Sequence, residues 1–278
     1  MNPLVTVITP TTGAASLQQA MQSVAAQTYT NVQHLVVVDG TEHAPKVRDI
    51  VNAQPGSAVD IINLPYPTGR DRFNGHRIYG AMSYIARGDY LCFLDEDNWY
   101  EPEHIEMLIQ AVPRGGWAYA VRKIVDATGT YVCNDDCESL GMWQSCLGDY
   151  FVDVNCYFLP RMLAVGLSPV GHRRARQPGV PEVDRALMQL LRDRRIACAG
   201  SGVYTVNYRA ANTALSVKAD FFLRGNRVMQ QRYGNTPPWR RAREPASLAQ
   251  EGQANTDCAS SPYISGPATT PPARRSNP

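Results

Sequence analysis

The sequence predicts an α/β protein, with a parallel sheet in residues 1–115 and a half of mixed strands after it. Three observations predict this. Short β-branched runs with little polar interruption recur, as strands covered on both faces require. Apolar residues between those runs fall at helical spacing. Beyond Gly115-Gly116, strand-like stretches follow one another with little helix between them.

Val5-Thr6-Val7-Ile8-Thr9 is the first such run, closed by Pro10. Thr11-Thr12-Gly13 turns the chain, and Ser16 is placed to cap a helix with its hydroxyl. Leu17, Ala20, Met21, Val24 and Ala25 make one stripe of that helix. A second strand over 34–38 ends at Asp39-Gly40, and helix-forming residues 44–53 lead to a third over 59–64. Strands and helices alternating in this order make a parallel sheet with crossover helices. A polar loop over 65–70 precedes a helix through Arg77, Tyr79, Met82 and Ile85. A fourth strand over 90–94 then runs into Asp95-Glu96-Asp97. Pro102 suits the first turn of a helix over 101–112, where its missing N–H does no harm. Further strands are expected at 117–125, 129–133, 151–159 and 203–209, with one helix at 182–194. There is no internal repeat. From Pro237 the composition turns to Pro, Ala, Ser, Thr, Gly and Arg, and 244–278 reads as disordered.

Composition narrows the function. The 278 residues are 44% apolar, enough for one large or two small cores. Against 27 basic residues stand 25 acidic ones, a formal net charge of +2, which excludes a nucleic-acid binder working through bulk charge. No apolar run approaches the ~18 residues that span a bilayer. The opening MNPLVTVITP has no basic flank and does not read as a secretory signal. Seven irregularly spaced cysteines do not make a disulfide framework, so the expected location is the reducing cytoplasm.

Leu94-Asp95-Glu96-Asp97-Asn98 carries the sharpest chemistry, an apolar strand running straight into acids. Carboxylates at the carboxyl end of a buried parallel strand face the crevice where open α/β sheets bind ligands. In an extended segment Asp95 and Asp97 point one way and Glu96 the other. Two carboxylates on one side repel unless a cation neutralises them, and a hard ion such as Mg²⁺ or Mn²⁺, bridging to a diphosphate, suits them. Asp39 ends another buried strand and should lie on the same sheet edge, where it can accept from a base N–H or a ribose hydroxyl. A turn-forming Asp-Gly is the competing reading, and on its own the commoner one.

The segments VTVITPTTG, SVAAQTYTNVQHLVVVDG and GDYLCFLDEDNWYEPEHI resemble the nucleotide-sugar-dependent GT-A glycosyltransferases, specifically the large inverting family 2. The resemblance is strong over about 3–115 and looser to about 210. It implies the GT-A fold, a Rossmann-like nucleotide-binding half over 1–115 and a mixed-strand half over 116–236 that binds the acceptor and supplies the base. Residues 237–278 form a tail. Pro10 and Thr11 would line the nucleotide and Asp39 would contact the base. Asn74 and Arg77 would lie beside the donor's ribose and diphosphate. Asp95 and Asp97 match the family's D-x-D, with Asp97 the direct metal ligand. Val183-Asp184-Arg185-Ala186-Leu187 resembles the family's Glu-Asp-x-x-Leu, making Asp184 the candidate catalytic base. Val183 stands where that motif has Glu, and Glu182, one position further back, can serve as base or as its helper. A first-turn acid favoured by the helix dipole would also explain Asp184.

The function so implied is transfer of a single sugar from a nucleotide-activated donor, UDP-linked by family frequency, to a hydroxyl acceptor, with inversion and a Mn²⁺ or Mg²⁺ ion. Acceptors in the family are glycans, lipid-linked glycans, proteins and small molecules. Two alternatives compete. A nucleotidyltransferase acting on a sugar phosphate also sets acids on a sheet edge, but it needs a Gly-rich basic loop where this chain has Thr11-Thr12-Gly13-Ala14-Ala15. A non-catalytic binding protein on a GT-A scaffold would dispense with the aspartates. Among lesser candidates, His172, Arg173, Arg174 and Arg176 form either a lid over the diphosphate or a solvated basic loop. Asp153 is an acid in a strand-like stretch that suits a hydroxyl ligand, and Trp99 and Trp143 can stack on sugars or fill a core. Cys133, Cys137, Cys146 and Cys156 fit no zinc spacing and are expected as buried thiols. Trp239 with the arginines at 240, 241 and 243 is a solvated linker or a peripheral contact with an anionic bilayer.

Overall fold

The first β-branched run forms strand β1 (Val5–Thr11), buried at every position. It pairs in parallel with β2 (Val32–Val38) along its whole length, through Pro10 opposite Val37 and Thr11 opposite Val38. Pro10 therefore does not end the strand. Between the two lies α1 (Leu17–Ala25), which buries Leu17, Ala20, Met21, Ser23 and Val24. Each of its large apolar side chains contributes about 1.5–3 kcal/mol on burial. Ala25 is exposed. Ser16 makes no capping bond with its side chain, because its own backbone is already helical (φ −62°, ψ −23°) rather than extended.

The computed structural model describes residues 2–54, 56, 58–71, 73–173, 182–210 and 217–240, all in one compact unit. In chain order there follow α2 (Ala44–Asn52), β3 (Asp60–Asn63), α3 (His76–Met82), β4 (Tyr90–Phe93), β5 (Trp99–Tyr100) and α4 (His104–Ala111). The second half adds β6 (Trp117–Val125), β7 (Tyr131–Asn134), β8 (Tyr157–Pro160), α5 (Arg161–Leu167), α6 (Glu182–Asp193), β9 (Cys198–Arg209) and α7 (Ala219–Tyr233). Among the described residues nine strands make one sheet, in the order β3-β2-β1-β4-β8-β6-β9-β5 with β7 on β6. The first four are mutually parallel, β8 is antiparallel to β4 and β6, and β9 is parallel to β6. This is the α/β architecture with a mixed second half that the sequence predicts.

Three local expectations change. Pro102 lies ahead of α4 rather than in its first turn, and its carbonyl accepts from Thr28 N–H at 2.8 Å. The stretch 151–159 is not one strand, since Asp153 caps a 3-10 turn over Val154–Cys156 by accepting from Asn155 N–H at 3.0 Å. The 95–98 segment is a turn, closed by Asn98 N–H on the Asp95 carbonyl at 3.1 Å, rather than extended chain.

The Ser23 to Asn31 segment is a fastener. Gln27 donates to the carbonyls of Ser23 (2.9 Å) and Glu101 (2.8 Å) and accepts from Ile105 N–H (3.0 Å). Tyr29 donates to the Pro3 carbonyl at 2.5 Å. These bonds tie the end of α1 to α4 and to the first residues of the chain. On the other face, α3 packs backbone to backbone on the turn 168–172. A Cβ on Gly80 would meet the Ser168 carbonyl oxygen at 2.8 Å, and one on Gly171 the His76 carbonyl oxygen at 2.3 Å.

Candidate functional site

Strand order puts the carboxyl ends of β2, β1 and β4 side by side, so Asp39, Pro10-Thr11 and Asp95 share one sheet edge. Asp39 is buried and accepts from Thr68 N–H (2.5 Å), Thr68 Oγ1 (2.8 Å) and Gly69 N–H (2.8 Å). The loop it holds is tight: Asn74 has a left-handed backbone (φ 49°) and donates its N–H to the Gly69 carbonyl at 3.0 Å. Arg77 lies over the Phe73 ring, 3.2 Å from its centroid, and donates to the Thr68 carbonyl at 3.3 Å.

The three acids of the 95–97 turn have different partners. Glu96 faces back and accepts from Thr11 Oγ1, from Thr12 N–H (3.1 Å), from Thr12 Oγ1 (2.9 Å) and from Ala14 N–H (2.9 Å). It fastens the loop after β1. Asp95 accepts from Tyr79 Oη at 2.6 Å and from Asn155 Nδ2 at 2.9 Å, and its own N–H goes to Asn155 Oδ1 at 2.7 Å. Burial, then the charge of Asp97, pushes the Asp95 pKa up to about 7, against the pull of those hydrogen bonds. Arg209, whose Nε donates to the Asp97 carbonyl at 3.0 Å, pins the turn from β9. A carboxylate whose ionisation is opposed by burial and by a like-charged neighbour is one that a divalent cation relieves, so this pair fits a hard ion. Among the described residues no group of three or more His, Cys, Asp or Glu side chains forms a metal cage.

Asp184, in the first turn of α6, is buried and stands with Oδ1 4.0 Å from His76 Nδ1. Burial raises its pKa well above the carboxylate range. The charges of Asp153 and Asp95 add to the rise, and Arg122 and Arg185 oppose it. Burial holds His76 neutral, its pKa lowered to about 4. Glu182 opens the same helix, two residues before Asp184 in its first turn. Helix α3 is thus the hub. Arg77 reaches the loop on Asp39, Tyr79 holds Asp95, and His76 faces Asp184.

Residues 6–132 match the model of the family described as Glycosyl transferase family 2. Over those residues the chain is similar to that family. S. aureus TarS has the same fold at 13% identity and a TM-score of 0.50, over 84% of this chain and 40% of TarS. Its fragment 1-349 matches at 12% identity and 0.52, over 84% and 66%. A mannosyltransferase from Pyrobaculum calidifontis, solved with GDP-Man and Mn²⁺, matches at 15% identity and 0.51, over 85% and 66%. The chain spans 40% of TarS and just under two thirds of the other two. Curated proteins gave no match. The family match and these neighbours give the fold as GT-A.

Sequence reasoning did not single out Asn155, Arg122, Glu96 as a loop fastener, or His76 and Tyr79 as partners of the aspartates. Tyr79 was legible only as part of an apolar stripe. Asp153 is no surface ligand here. It accepts from Arg122 Nη1 inside a buried cluster in which Arg122 also donates to Asp135 (2.8 Å) and Glu138 (2.8 Å). Arg122 is 1% exposed. Trp99 carries the Arg209 guanidinium 5.0 Å from its centroid, and Trp143 packs edge-on against Tyr233. Cys137 and Cys156 are buried, and Cys133 and Cys146 are half-buried. Trp239 is buried with its indole N–H on Asp136 at 2.7 Å, and Arg240 pairs with Asp136. Arg174, Arg176, Arg241, Arg243 and the segment 244–278 lie outside the described residues. No described helix is long and apolar enough to cross a membrane.

Proposed function

We propose that this chain is an inverting glycosyltransferase that moves one sugar from a nucleoside-diphosphate sugar to a hydroxyl acceptor. The observation that carries the reading is the meeting of Asp95, from a strand tip, with Asp184, from a late helix, around α3: Tyr79 on the first at 2.6 Å, His76 by the second at 4.0 Å. TarS solved with UDP-GlcNAc and the mannosyltransferase with GDP-Man support a nucleotide-sugar donor. In this assignment residues 1–115 hold the donor. Pro10, Thr11 and Asp39 sit at the nucleoside, and Asn74 and Arg77 sit by the ribose and diphosphate. Residues 116–236 supply the base. Asp95 and Asp97 would hold Mn²⁺ or Mg²⁺, which stabilises the charge growing on a departing diphosphate.

Asp184 accepts the proton of the acceptor hydroxyl as that oxygen bonds to the anomeric carbon. The bond from that carbon to the diphosphate breaks, and the nucleoside diphosphate leaves with the electron pair. One displacement from the face opposite the leaving group inverts the centre. The raised pKa of Asp184 makes it a stronger base than a solvated carboxylate. Glu182 is its reserve. The test is a thermal-shift and turnover screen of UDP-, GDP-, TDP- and CMP-sugars with Mn²⁺ and with EDTA. One nucleotide class should raise the melting temperature only with metal. No stabilisation by any donor would overturn the reading, and equal effects with EDTA would overturn the metal.

A further inference from the structure

Asn155 is fully buried, yet every polar atom of its carboxamide is in use. Its Oδ1 accepts from Asp95 N–H at 2.7 Å. Its Nδ2 donates one hydrogen to Asp95 Oδ2 at 2.9 Å and the other to Asp153 Oδ1 at 2.7 Å. Asp153 cannot turn away, because Arg122 holds its other oxygen. Ser139 Oγ accepts the main-chain N–H of Asp153 at 2.9 Å, a bond that holds the turn and not the carboxylate. An amide gripped on both sides in this way has one orientation, and it passes that orientation to Asp95 from main chain and side chain at once.

The second oxygen of Asp95 is fixed by Tyr79 at 2.6 Å. Each carboxylate oxygen accepts twice, so Tyr79 and Asn155 use two of about four acceptor positions and leave the others in a set plane. We propose that Asn155 is a positioning residue for the donor site: anchored by Asp153 and Arg122, it presents the Asp95 carboxylate to a divalent cation bound with a nucleoside diphosphate. The inference rests on the assignment of Asp95 above and goes beyond it. It makes a residue of the acceptor half set the affinity of the nucleotide half. Hydrogen-bonding partners of metal-binding carboxylates are typically worth about 10–100-fold in metal affinity.

The experiment measures Mn²⁺ binding by the full chain in the presence of UDP or GDP, for wild type, Asn155→Ala and Ser139→Ala. Both substitutions disturb the same turn and should lower the melting temperature. Asn155→Ala should weaken Mn²⁺ binding about 10–100-fold and raise KM for the donor more than it lowers kcat. Ser139→Ala should leave Mn²⁺ affinity as in wild type. If Asn155→Ala does not fold, Asn155→Ser, too short to reach Asp95 but able to bind water, must show the same weakening. Wild-type Mn²⁺ affinity in a folded Asn155 variant, or equal weakening in Ser139→Ala, overturns the positioning role alone. Absence of Mn²⁺ binding in wild type overturns the donor-site assignment itself.

Discussion

The sheet edge at β2, β1 and β4 and the cluster around Arg122 both gather carboxylates, but they stabilise them in opposite ways. At the edge the partners are neutral. Asp39 is held by Thr68 and Gly69, Glu96 by Thr11, Thr12 and Ala14, and Asp95 by Tyr79 and Asn155. In the cluster a single buried guanidinium serves Asp135, Glu138 and Asp153. Hydroxyls and amides orient a carboxylate without cancelling its charge, whereas an arginine cancels it. The first arrangement keeps negative charge available to a ligand, and the second spends it on the fold.

The largest expected effect is on turnover. Asp184→Asn should lower kcat by about 10²–10⁴-fold with donor affinity unchanged, the loss of a general base. Near-normal turnover would move the role to Glu182. In wild type, kcat should rise with pH through the raised pKa of Asp184, and that limb should vanish in the variant. Next comes stability at the cluster. Arg122→Met leaves buried Asp135 and Asp153 without their cation, and Glu138 with Arg185 alone, and should cost about 3–5 kcal/mol in urea unfolding. Arg122→Lys should recover less than half of that, because one ammonium cannot span partners met by Nε, Nη1 and Nη2. A mild Arg122→Met would erase the contrast between the two regions.

A smaller effect concerns pH. Burial lowers the pKa of His34 to about 4 and of His104 to about 3, from an ordinary 6.5. Between those values the unfolded chain binds more protons, so this stability is whole above pH 6.5 and is lost as pH falls towards 4, or towards 3 for His104. Each contributes a slope of up to about 1.4 kcal/mol per pH unit. Comparing urea midpoints of wild type and His34→Gln at pH 7, 6 and 5 isolates the histidine from Asp95 and Asp184, whose raised pKa values act in the opposite sense. Parallel profiles would contradict a buried neutral His34. Smallest of all, Ser16→Ala should change stability by less than about 0.5 kcal/mol, since the hydroxyl caps nothing. A drop of about 1 kcal/mol would restore the cap.

The contrast also explains what the sequence could disclose. Asp39 and Asp95 each follow an apolar run at once, so strand periodicity alone carries them to the sheet edge. The parallel half was legible for the same reason. Arg122 looked like one polar interruption in a strand, and Asp135, Glu138 and Asp153 like scattered acids, because their neutralisation depends on register between β6 and two turns. Asn155 was hidden by a 3-10 turn inside a stretch with strand-like composition. Ser16 and Pro10 followed good local rules that tertiary context overrode. Helix α7 escaped because its buried face rests on Phe222, Gly225 and Met229, too sparse a stripe among arginines and glutamines.

The seam between α3 and the turn 168–172 bears on how this protein tolerates change. With Gly80 and Gly171 letting the two main chains touch, no side chain lies between them to absorb a displacement. Even a methyl group at either position would act as a wedge. It would tilt the helix that carries His76, Arg77 and Tyr79, and so throw several aspartates out of alignment together. Two unremarkable glycines, chemically inert, should then rank among the least replaceable residues in the chain.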